Sequence, residues 1–161
     1  MTEEAKAFVY ELVGKRLEKF ICVVDMLEFD FGKKHCLHAM GCSRVVRDHD
    51  ILVTTVDYQS WDGQDEKHND EWYNAERFAP GIVGGTVVGV EISPVNDLFI
   101  ALDNGIRIEC YVANAYPHYE EECEQWVLFE PCEDKSRKEL LGKGRFLSVL
   151  NKRVEYTDNR C

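Results

Sequence analysis

VVGVEISPVNDLFIALDNGIRIECYV, residues 87–112, decides the fold class. Val88, Val90 and Ile92 alternate with other residues, Pro94 falls in a connection over 93–97, and alternation resumes at Leu98. A two-residue loop at Asn104-Gly105 would oppose Leu102 to Arg107 and Ile100 to Glu109, mixing core and solvent faces. A three-residue loop, Asp103-Asn104-Gly105, with Gly105 left-handed, instead opposes Leu102 to Ile106, Ile100 to Ile108 and Leu98 to Cys110. The pattern predicts a bulged antiparallel hairpin with one apolar face.

Working outward, the same period of two covers most of the chain. Phe20, Cys22 and Val24 share a face, as do Leu27, Phe29 and Phe31, and a tight turn at Asp25-Met26 would oppose Cys22 to Phe29. Residues 34–40, 44–46 and 51–56 continue the extended pattern around a turn at Asp48-His49-Asp50, and Trp126 to Phe129 reads as a closing core strand. Before these strands, Thr2 can cap a helix in which Glu3 and Glu4 sit at the positive end. Ala5, Phe8, Val9 and Leu12 recur at helical spacing, and Gly14 stops it. Residues 135–141 suggest a short helix, and 145–150 fit helix or strand. The expected class is α+β: an antiparallel, strongly curved sheet or partly open barrel, with an N-terminal helix over 1–14, a β-rich core over 15–130 and a short helical, basic C-terminal extension over 131–161. At 161 residues the chain forms one domain.

Charge narrows the choice of partner. A formal charge of −11 disfavours a nucleic-acid ligand, whose phosphates select clustered Lys and Arg, and suits a basic protein or a neutral molecule. The start, Met1-Thr2-Glu3-Glu4, is unlike a secretory signal, and no run approaches the ~18 apolar residues of a membrane span, so a soluble cytoplasmic protein with no membrane association is expected. The seven cysteines lack C-x-x-C spacing and read as small apolar residues in a reducing compartment.

Three regions could carry function. Residues 57–76 hold Asp57, Asp62, Asp65, Glu66, Asp70, Glu71 and Glu76 against Lys67 alone, within an acidic excursion over 58–80 expected to be a long loop. Trp61 and Trp72 would dock it, on its own sheet or on a partner. The binding set is thus Trp61, Asp62, Asp65, Asp70, Glu71 and Trp72. The segment lacks the ligand pattern of a calcium loop. Next, Cys36 and His38 share a strand face and could offer two zinc ligands, or a thiol and its base, but neither has a third member identifiable from sequence. No metal and no cofactor is therefore expected. Lastly, residues 135–153 carry seven basic side chains against Glu139, which could lie near the acidic excursion or the glutamates at 120–124, within the subunit or across a homodimer.

The order of several features is similar to an uncharacterised group of small bacterial proteins. The matching residues are Phe31-Gly32, Leu37-His38 with Arg44, Trp61-Asp62, Asp97-Leu98-Phe99-Ile100 with Asn104-Gly105, and Trp126. The group commonly places Cys-Pro-Trp between the His and the Arg, where this chain has Gly41-Cys42-Ser43. The resemblance implies the β-rich fold and a bacterial origin, and supplies no chemistry. Two functions remain. The first is a non-enzymatic binding protein of the immunity or antitoxin kind, engaging a basic protein through the acidic excursion. The second is a small-molecule site or hydrolase, with His38 as general base, Arg44 as anion anchor and Asp57 converging on them.

Overall fold

The computed structural model describes residues 1–115, 122–131 and 143–160. Its order is α1 (Glu3–Tyr10), β1 (Leu17–Val23), β2 (Met26–Phe31), β3 (His35–Ala39), β4 (Cys42–Arg47), β5 (Asp50–Thr54), a 3-10 helix (Thr55–Ser60), α2 (Asp70–Ile82), β6 (Val87–Ile92), β7 (Leu98–Leu102), β8 (Ile106–Tyr111), β9 (Glu124–Pro131), β10 (Gly144–Leu150) and β11 (Val154–Asp158). The strands form two antiparallel sheets, ordered β1-β2-β3-β9-β10-β11 and β5-β4-β8-β7-β6. Neither closes into a barrel. Their edges meet at one isolated bridge, Arg16 to Thr86, beside which Leu17 N–H donates to the Gly85 carbonyl at 2.9 Å.

One apolar cluster joins the inner faces of both sheets to the two helices. Leu27, Phe29, Leu37, Trp126, Leu128 and Leu147 enter it from the first sheet, and Val45, Val53, Leu98, Ile100 and Ile108 from the second. Burying a side chain of this size contributes about 1.5–3 kcal/mol, so the alternation that orients it also stabilises the sheets. The hairpin of β7 and β8 has the bulged register: Ile100 faces Ile108, Leu98 faces Cys110, and Gly105 takes φ +83° while Asn104 is not left-handed.

Several local expectations shift. The β1–β2 turn falls one residue earlier, at Val24-Asp25, so that Cys22 opposes Leu27 and Phe20 opposes Phe29. Val24 adopts φ +58°, and its own side chain leaves the core. In β6 a bulge between Val87 and Gly89 turns Val88 to solvent while Val87 packs inside. The acidic stretch is not one long loop. It contains the 3-10 helix and α2, which begins where the Asn69 side chain accepts a hydrogen bond from Trp72 N–H at 2.9 Å, with Asp70 and Glu71 at the positive end. Trp72, Ala75, Ala79 and Ile82 then turn toward the core at helical spacing, and α2 packs on β1 and β5. Pro80 lies inside the last turn of α2, where it has no backbone N–H to donate to the carbonyl four residues earlier.

The C-terminal segment also differs from a helical extension. Residues 144–158 form β10 and β11, which complete the first sheet, with Leu147 and Val149 fully buried. The expected helix over 135–141 lies outside the described residues. Basic side chains of this segment do meet acids of the same chain: Arg153 pairs with Glu122 at 2.8 Å. Arg145 pairs with Glu11 and Glu130. Among the described residues no helix is long and apolar enough to cross a membrane.

Candidate functional site

β3 alternates His35, Leu37 and Ala39 inward, leaving Cys36 and His38 on the outer face of the first sheet. The antiparallel register sets Glu28 opposite His38 and Asp30 opposite Cys36, and β9 brings Phe129 opposite Cys36 on the other side. Cross-strand neighbours on one face stand within side-chain reach. Glu28 extends one carboxylate oxygen to Lys19 Nζ at 2.7 Å and the other toward His38 Nε2 at 3.4 Å. The His38 ring rests edge-on against Phe129, with centroids 4.8 Å apart. These residues line a cavity of about 590 Å³, together with Lys33, Lys34 and Asp30.

Glu28, Cys36 and His38 thereby come together: one donor atom from each lies within 4.8 Å of the others. The third member that sequence reasoning did not find is Glu28, and its only signal was cross-strand register, which depends on where the β2–β3 turn falls. A thiol-and-base reading fits less well. Burial pushes the Cys36 thiol far above its ordinary range, reinforced by the carboxylates of Asp30 and Glu28 and only partly opposed by Lys19, whereas a nucleophilic cysteine needs cationic neighbours that prevail and stabilise thiolate.

His38, Arg44 and Asp57 each have separate surroundings. Arg44 points off the outer face of the second sheet, where its guanidinium bonds the Glu109 carboxylate and the Tyr111 hydroxyl, the latter at 3.0 Å. Against the opposing effect of burial, hydrogen bonds from Tyr111 and Arg44 hold Glu109 below the usual carboxylate range. Asp57 lies in the 3-10 helix beside Asn74 of α2, and burial raises its pKa. Neither Arg44 nor Asp57 lines the cavity beside His38. The structure therefore does not assemble these three side chains into one pocket.

The acidic region divides into a pinned half and a displayed half. Trp72 is pinned, its indole N–H donating to the Val24 carbonyl at 2.9 Å while Lys67 sits over its ring. Trp61 is 40% exposed and stacks on Tyr58 with centroids 5.6 Å apart, and its indole N–H donates to the Asp65 carbonyl. Asp62, Asp65, Glu66 and Asp70 are exposed around it, and Asp62 meets His68 at 3.2 Å. Glu71 leaves the binding set, because it is fully buried on the inner side of α2, with neither carboxylate oxygen hydrogen-bonded among the described residues. Burial pushes its pKa up to about 8, helped by Asp25 and Asp57, while the neighbouring Cys22 thiol donates to the Val24 carbonyl.

No protein family, curated protein or solved structure matches this chain.

Proposed function

We propose that this is a non-enzymatic binding protein, of the immunity or antitoxin kind, that recognises a basic protein surface through the acidic face around Trp61. The observation that carries the reading is the division of labour between the two tryptophans. Trp72 fastens the segment to its own sheet, while Trp61 stays exposed, held against Tyr58 amid four exposed carboxylates. An aromatic side chain held in place before binding loses little freedom on contact, and surrounding charge speeds encounter with an opposite surface.

Pull-down at low salt, followed by titration calorimetry with the purified partner, tests this reading. Neutralising Asp62, Asp65, Glu66 and Asp70 together should abolish capture, and Trp61→Ala should weaken binding by roughly 2 kcal/mol, as for a central interface anchor. Association that survives both changes, or that is insensitive to salt, rejects the acidic face.

The cavity beside His38 favours a second reading, a small-molecule site on the outer face of the first sheet. It draws on Glu28 and Lys19 instead of Arg44 and Asp57. Saturable binding of a small ligand, lost on His38→Gln and unaffected by changes at Trp61, would place function there.

A further inference from the structure

Glu28, Cys36 and His38 offer an oxygen, a sulfur and a nitrogen from adjacent strands, all within 4.8 Å of one another. In a tetrahedral zinc centre, with bonds of about 2.0–2.3 Å, ligand atoms stand about 3.3–3.8 Å apart. The Glu28–His38 separation of 3.4 Å already matches that spacing. The Cys36 sulfur lies within 4.8 Å of both of these donor atoms. We propose that these three residues form a zinc-binding site.

Three features beyond proximity support the site. Glu28 is oriented for the task, since Lys19 holds one of its oxygens and leaves the other toward His38. The imidazole is steadied by Phe129, so its Nε2 faces the same point. Partners that orient ligands in this way strengthen metal affinity. All three ligands are also partly buried, neither sealed from an entering ion nor freely solvated.

The donor set selects the ion. A thiolate with an imidazole favours zinc over magnesium or calcium, which prefer all-oxygen surroundings. On binding, zinc replaces the proton on the Cys36 sulfur, forming a Zn–S bond and releasing that proton to solvent. Three protein ligands leave a fourth position facing the cavity of about 590 Å³, where water or an incoming donor group can complete the tetrahedron. The site lies on the outer face of the first sheet and is independent of the acidic face. Failure of one reading leaves the other standing.

Titration of chelator-stripped protein with zinc, and separately with cobalt, provides the test. The expected result is one equivalent of zinc, no competition from excess magnesium, and a thiolate-to-cobalt absorption band. Glu28→Gln, Cys36→Ser and His38→Gln should each weaken binding at least about 10-fold, whereas Cys42→Ser should leave it unchanged. Far-ultraviolet circular dichroism identifies any variant that fails to fold. Since all three positions sit on a partly exposed face, folded Glu28→Gln and His38→Gln proteins decide the matter if Cys36→Ser does not fold. Retention of full affinity in those variants, loss of the cobalt band in Cys42→Ser, or no zinc bound at micromolar protein overturns the site.

Discussion

The two helices bring glutamates to the edge of the core, and the two meet opposite surroundings. At the end of α1, Glu11 receives both outer nitrogens of Arg145 at 2.6 Å, and the same guanidinium binds Glu130 and lies 4.3 Å from the centre of the Phe8 ring. Those bonds from Arg145 hold Glu11 below the usual carboxylate range, and Arg145 is itself raised by the pairing. Under α2, Glu71 has no cation partner among the described residues, and the ionisable side chains that perturb it most, Cys22, Asp25 and Asp57, supply none. One end of the molecule accommodates buried charge by pairing it, whereas the other removes the charge by keeping a proton. The first arrangement is insensitive to pH near neutrality and the second is not.

The largest way to break this contrast is Arg145→Ala, which strands Glu130 and Glu11 beside the core. A loss of roughly 3 kcal/mol in a urea unfolding measurement is expected, the low end for an orphaned buried pair because Glu11 is 43% exposed and can hydrate. An unchanged midpoint would show that the pairing contributes nothing.

The next effect depends on pH. Glu71 has a folded-state pKa near 8 against an ordinary value of 4.5, so between those values the folded protein keeps a proton that the unfolded chain has released. Its contribution is complete below about pH 4.5 and declines as pH rises toward 8, by at most ~1.4 kcal/mol per pH unit. Glu71→Gln should flatten that decline, leaving the variant more stable than the parent at pH 8 and similar to it near pH 4.5. Parallel stability curves would show that Glu71 is ionised in the folded protein.

The smallest effect sharpens the comparison at the start of α2. Asn69→Ala removes the side-chain oxygen that accepts from Trp72 N–H, and should destabilise the protein by about 1 kcal/mol in the same unfolding assay. Because Glu71 sits in the turn that Asn69 caps, faster amide exchange at Trp72 and Tyr73 is expected alongside. Exchange unchanged there would mean that packing of Ala75 and Ile82 alone holds the helix.

Reading the strands from sequence succeeded in the β7–β8 hairpin, where one face alternates through both strands, and slipped at Val24 and Val88, whose side chains leave the core. Leu98, Ile100, Ile106 and Ile108 are buried as their spacing requires, and the choice of a three-residue loop at Asp103-Asn104-Gly105 followed from keeping charge off that face. Reading failed where two signals competed. The charge of residues 57–76 pointed to a solvated loop, yet the Asn69 cap and the spacing of Trp72, Ala75, Ala79 and Ile82 were the stronger signal. Residues 145–150 fitted helix or strand, and the structure takes the strand, with Arg145, Leu147 and Val149 alternating inward. Truncation after Pro131 would thus remove two strands of a sheet rather than a tail.

The candidate sites divide in the same way. Cys36 and His38 were legible as neighbours on one strand face, because a period of two is a property of a short stretch of chain. Their meeting with Glu28 was not, since it depends on which strand lies alongside and in what register. Glu71 and Trp61 looked alike as members of an acidic aromatic stretch, but the packing of α2 over β1 sealed the first, while Trp61, at the end of the 3-10 helix, stays exposed. The sequence by itself determined most of the strands up to Phe129, the inward face of the β7–β8 hairpin and the acidic character of one region. The tertiary structure decided which side chains became neighbours and which carboxylates left water, because burial and cross-strand contact arise between segments distant along the chain.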